Sequence, residues 1–117
     1  MDIEKVFAMF RLFYTEEDGD SFLPVAEMAA EYVKSRALDD TSASDPRLCC
    51  LAAAHTLCRV LEIKAARERL TLTRGGAAAT EPDFRGRIEF AQRLYHGYEQ
   101  LCAGLIRDDG FLFLRME

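Results

Sequence analysis

The chain has 117 residues, half of them apolar and 30% charged, which is the composition of one folded domain and far from that of a disordered segment. The formal net charge of −5 is uneven: Met1 to Asp45 carries 11 acids against 4 bases, and Pro46 to Glu117 carries 9 acids against 11 bases. That balance argues against a dedicated nucleic-acid binder, which needs clustered Lys and Arg, while opposite signs at the two ends allow neighbouring copies to pair. No charged-then-apolar leader opens the chain, and its longest strongly apolar run, Leu48 to Ala54, is far short of the roughly 20 residues that span a bilayer. The expectation is a protein that is neither secreted nor membrane-bound. Its four cysteines, Cys49, Cys50, Cys58 and Cys102, lie in apolar helical patterns, as expected of reduced, metal-free thiols in a reducing cytoplasm.

A single mainly α domain, 1–117, is expected, with four helices and one or two short strands. Ile3, Val6, Phe7, Phe10, Phe13 and Tyr14 recur at helical spacing and predict a short aromatic first helix. Thr15 to Ser21 breaks the pattern with turn formers. Asp20 or Ser21 is the expected cap of a second helix, with Pro24 in its first turn and its end near Leu38. Its apolar set, Phe22, Val25, Met28, Ala29, Tyr32 and Val33, is expected to face inward, opposite Glu27, Glu31 and Lys34. Asp39 to Ser44 reads as a polar loop, and Asp45-Pro46 as N-cap and first residue of a third helix.

Leu48 to Val60 is apolar nearly all round, the mark of a helix buried on most sides, with Leu51, Leu57 and Leu61 as expected core residues. Its charged continuation, Glu62 to Arg69, is expected to project beyond the core or onto a neighbouring subunit. Leu70-Thr71-Leu72-Thr73 alternates and predicts a short strand, followed by a mobile loop at 75–83. The fourth helix carries Phe84, Ile88, Ala91, Tyr95, Tyr98, Cys102 and Leu105 in one stripe and Phe90, Leu94 and Leu101 in a second. Together these cover roughly 160° at 100° per residue, wider than one packing contact requires. The end, Phe111 to Arg115, predicts an apolar strand that must find an edge, either at Leu70 to Arg74 or in another chain. Phe90, Leu94, Leu101, Phe111, Leu112, Phe113 and Leu114 are therefore the predicted contacts between chains.

Candidate chemistry is sparse, and no catalytic, cofactor or metal residue is assigned. In Glu16 to Asp20, aligning Gly19 with the invariant glycine of a calcium loop puts Tyr14 first and Val25 last, where the cation needs carboxylates, so a solvated turn is the better reading. His55 and Cys58 share a helical face, but no second ligand pair completes a zinc site, and a buried, inert thiol is preferred to a nucleophile. Gly75-Gly76 lacks the Lys and Ser/Thr of a phosphate loop. Arg67, Arg69, Arg74, Arg85 and Arg87 interleave with Glu68, Glu81, Asp83 and Glu89, a salt-bridging surface rather than a phosphate track.

In order, a short first helix, the Ala26-Glu27-Met28-Ala29-Ala30-Glu31-Tyr32 helix, the Asp45-Pro46-Arg47-Leu48 start of an Ala-rich helix, the alternating segment at Leu70 and a last helix running into Leu105-Ile106-Arg107-Asp108-Asp109-Gly110-Phe111 resemble the head–tail connector proteins of tailed bacteriophages and prophages, also called neck adaptor or head-completion proteins. The resemblance covers most of the chain. It implies a helical protomer, without catalytic residues, that joins a ring, expected as a dodecamer, beneath the portal and continues the channel through which DNA passes. Portal and tail or neck proteins would be its partners, and the virion assembled in the bacterial cytoplasm its location. The alternative is a small cytoplasmic regulatory or scaffolding protein that dimerises through its fourth helix. A third reading, an enzyme using Cys58 and His55, lacks an orienting third group.

Overall fold

The computed structural model describes residues 1–75 and 84–107. Among them are five α-helices and one 3₁₀ turn: α1 (Ile3–Phe13), the turn Glu17–Phe22, α2 (Leu23–Arg36), α3 (Asp40–Ala43), α4 (Pro46–Gly75) and α5 (Phe84–Leu101). The expected third and fourth helices are thus α4 and α5. Helix α4 is the hub, as its all-round apolar pattern predicts: α1, α2 and α5 all pack against it. Leu48, Leu51, Ala52, Ala53, Ala54 and Val60 are fully buried along it, with Leu57 and Leu61 nearly so. Asp45 caps its start, its carboxylate accepting from the Arg47 amide at 2.9 Å, with Pro46 in the first helical position.

Two apolar clusters meet along α4. One holds Val6 of α1, Ala26, Ala30 and Val33 of α2, and Cys102 and Ile106 beyond α5. The other is aromatic: Phe10 stacks on Tyr14 at 5.4 Å, Phe22 meets the Tyr14 ring edge-on at 5.9 Å, and Leu57, Leu61 and Ala91 complete it.

The second helix presents a different face from the one its large side chains suggest. Ala26, Ala29, Ala30 and Val33 are buried, whereas Met28 is 74% exposed and Tyr32 lies at the surface. Small residues on α2 meet the alanine stretch of α4 and let two backbones approach closely, a gain that placing Met28 inward would forfeit. Its start also differs, since Phe22 occupies the N-cap position with no side-chain cap and the 3₁₀ turn leads in where Asp20 or Ser21 was the expected cap. The polar stretch after α2 is not all loop. Asp39 accepts from the Ser42 amide at 2.6 Å and caps α3, whose Ser42 and Ala43 are buried.

The predicted strand at Leu70 to Thr73 is helical, part of the α4 helix that ends at Gly75. Adding a residue to a formed helix costs far less than starting one, and two threonines carry only a few tenths of a kcal/mol each of helix penalty, so four alternating residues do not stop it. No strand occurs among the described residues, only an isolated antiparallel bridge between Ala37 and Ile106. Positions 76–83 of the predicted loop and the predicted strand 111–115 lie outside the described residues. No helix among the described residues is long and apolar enough to cross a membrane.

Leu57 is only 7% exposed at the centre of the aromatic cluster. Leu57→Ala should therefore cost about 2 to 5 kcal/mol, measured as a lower urea midpoint at unchanged slope.

Candidate functional site

The residues predicted to join chains divide on α5. Phe90 and Leu101 are 64% and 62% exposed, whereas Leu94 is half-buried against the aromatic cluster. Phe90 and Leu101 are eleven positions apart, so they stand on one face about 16 Å apart along the axis. Gly97 lies between them along the axis, about 20° from Phe90 and about 40° from Leu101 at 100° per residue. A Cβ built at Gly97 meets no heavy atom within 4 Å. A glycine inside a helix costs roughly 0.5 to 1 kcal/mol relative to alanine, and the packing of this protomer does not ask for it. Phe111 to Leu114 lie outside the described residues.

Beyond α5 the chain is pinned by Arg36, a residue that sequence reasoning did not single out. This side chain, at the end of α2, is 6% exposed. Its Nη1 donates to Tyr95 Oη and Glu99 Oε2, both at 2.8 Å, and its Nη2 to the Arg107 carbonyl at 2.9 Å. The backbones join too, Arg107 N to Arg36 O at 2.8 Å and Leu38 N to Leu105 O at 3.0 Å, and the Arg107 guanidinium donates to the Ser35 carbonyl. Burial pulls the Arg36 pKa down, but the Glu99 carboxylate more than offsets it and the guanidinium is held charged. Burial pushes the Tyr95 phenol well above its ordinary range.

The acidic turn is exposed, as a solvated turn should be, and also carries an ion network. Tyr14, whose ring is buried in the aromatic cluster, donates to Asp18 at 2.5 Å and accepts from Lys64 Nζ at 2.8 Å. Lys64 also reaches Glu16 at 3.1 Å and Asp18 at 3.4 Å, and Arg87 of α5 approaches Glu16 at 3.4 Å. Arg11 lies across Gly19, where a Cβ would fall 1.2 Å from its Nη1, and donates to the Glu16 carbonyl at 2.9 Å. The charged continuation of α4 is thus partly used within the protomer: Lys64 turns back to this network and Arg67 lies over the Phe22 ring at 5.7 Å. Burial and the bond to Asp18 push Tyr14 from 10.0 up to about 12. Lys64 lowers Glu16, Tyr14 lowers Asp18, and Lys64 itself is raised because its hydrogen bonds with Tyr14 and Glu16 outweigh burial.

His55 and Cys58 have different surroundings. The imidazole lies between the rings of Tyr32 and Tyr95, at centroid distances of 4.8 and 5.5 Å, and burial lowers its pKa. Burial pushes the Cys58 thiol up to about 11, away from the thiolate a nucleophile needs. All four cysteines are free thiols. Among the described residues no group of three or more His, Cys, Asp or Glu side chains gathers as a metal ion would require. No protein-family model, no curated protein and no solved structure matches the chain.

Arg36→Met strands Tyr95 Oη, Glu99 and the Arg107 carbonyl, and should cost about 2 to 3 kcal/mol, visible as early loss of amide protection at the end of α5. The acidic network sets a pH dependence. Glu16 and Asp18 titrate below their ordinary 4.5 and 3.8, so their contribution is present at neutral pH and lost as pH falls through those lowered values. Thermal midpoints measured down from pH 7 should fall below about pH 4, and less steeply in Lys64→Met.

Proposed function

We propose that this chain is a structural assembly subunit of a tailed-bacteriophage or prophage particle, a head–tail connector that joins copies of itself in a ring beneath the portal. Phe90, Gly97 and Leu101 on the outer face of α5 carry this reading. Two bulky apolar side chains flanking an uncovered glycine form a knob-and-gap surface that suits a second helix at close range. A broad apolar face on the last helix is what the protomer of a ring needs on at least one side.

In this reading the outer face of α5 forms the contact between copies, and portal and tail or neck proteins bind the assembled ring. DNA passes through the channel without sequence-specific contacts, in keeping with a net charge of −5. The free thiols and the partnered His55 serve packing and leave the subunit without catalytic duties.

Light scattering followed by negative-stain imaging tests the proposal. The wild-type protein should form rings, and Phe90→Glu with Leu101→Glu should leave a monomer of unchanged helicity. Gly97→Ala should raise the stability of that monomer by about 0.5 to 1 kcal/mol while weakening association of the otherwise wild-type chain. A discrete dimer would favour the scaffolding alternative, and a wild-type monomer at high concentration would remove the assembly reading.

A further inference from the structure

Helix α2 carries an exposed ridge at Met28, which stands 74% exposed. On one flank of it, Val25 and Tyr32 open onto a groove shared with His55 and Ile63 of α4. On the other flank, Glu27 and Glu31 line a separate cleft with Met1 and Ile3. At 100° per residue, Tyr32 and Val25 lie about 40° and 60° round from Met28 in one direction, and Glu31 about 60° in the other. The ridge is therefore apolar on one side and acidic on the other.

The outer face of α5 has the complementary relief. A gap stands at Gly97, where α2 has its ridge, and Phe90 and Leu101 rise on one side of that gap. The exposed Arg93 lies about 40° from Gly97 on the other side. Among the described residues neither Arg93 nor Glu31 takes part in an ion pair. The acids of α5, Glu89 and Glu99, lie about 100° or more round from Phe90, so α5 packed on a second α5 would offer Arg93 no carboxylate.

We propose that the outer face of α5 docks head to tail on the α2 ridge of a second copy of this chain, antiparallel, with Met28 opposite Gly97. The inference rests on the reading of α5 as the contact between copies and supplies the other half of that contact. Flanks turned to the same hand meet when two helices lie antiparallel, so one register satisfies three pairs at 1.5 Å per residue. Arg93, about 6 Å before Gly97, faces Glu31, about 4.5 Å after Met28. Leu101, about 6 Å after Gly97, meets Val25, about 4.5 Å before Met28, and Phe90 reaches the Tyr32 end of the ridge. A parallel alignment would set Arg93 against Val25 and leave Glu31 without its cation. A contact between two different patches is also what closes a ring, whereas a self-complementary patch closes a dimer.

Light scattering on full-length variants tests this. Met28→Glu, at an exposed position, should abolish association as completely as Phe90→Glu with Leu101→Glu, each variant keeping its helical circular dichroism. An equimolar mixture of the two should form a complex of one chain of each, since each supplies the face that the other lacks. Glu31→Arg or Arg93→Glu alone should raise the concentration at half-assembly by about fivefold. The two together in one chain should return it close to the wild-type value. Wild-type assembly by Met28→Glu, while Phe90→Glu with Leu101→Glu stays monomeric, overturns the proposal and leaves the α5 contact standing. A mixture that stays monomeric, or a double charge reversal no better than the single ones, overturns it as well. A wild-type protein that is itself monomeric removes the reading of α5 and this inference with it.

Discussion

The enclosure of the first four turns of α4 is the constraint from which the other helices take their positions. A helix surrounded on several sides has no polar face to spare, so its partners meet it at small residues or fill its gaps with rings. Both solutions occur here: Ala26, Ala29 and Ala30 of α2 lie close against the alanine stretch, and Phe10, Tyr14 and Phe22 fill the wider space near Leu57 and Leu61. The buried Thr56 fits this scheme because its hydroxyl donates back to the Ala52 carbonyl at 2.8 Å and needs no outside partner. Helix α5 then closes the aromatic cluster through Ala91 and the half-buried Leu94, leaving Phe90 outside.

Much of this was legible from spacing alone. The Asp45-Pro46 start, the all-round apolar α4 and the double stripe of α5 are local patterns, and local physics decides them. The facing of α2 was not, because hydrophobicity ranks Met28 and Tyr32 above alanine, and only the closeness of the partner helix reverses that order. Leu70 to Thr73 misled for a related reason: alternation is a strand signal only where a partner edge exists, and an established helix upstream is the stronger influence. Of the candidate site, the outward placement of Phe90 and Leu101 was readable from angular width. The significance of Gly97 was not, since an open space beside a glycine is a fact of three dimensions.

The polar residues with most to do are those that sequence patterns present as ordinary surface. Arg36 reads as a charge near a helix end, yet it is nearly buried and joins α2 to two parts of the chain beyond it. Lys64 sits in a run of charges that suggests projection into solvent, yet it organises the turn around Tyr14. Each acts over a long sequence separation, where periodicity carries no information. The residues that attract attention as chemistry, His55 and Cys58, are shielded between rings and within the core.

The Arg36 clamp also sets an order of events during synthesis. Its acceptors Glu99 and Arg107 are 63 and 71 residues further along the chain. A nascent chain emerges N-terminus first, so α1, α2 and much of α4 can begin to collapse while Arg36 is still hydrated and waiting for those acceptors. Closing that long loop must wait for the acceptors to be made, and its entropic cost grows slowly with its length. Withdrawal of the guanidinium from water into its full set of partners therefore requires a chain that has emerged at least as far as Arg107.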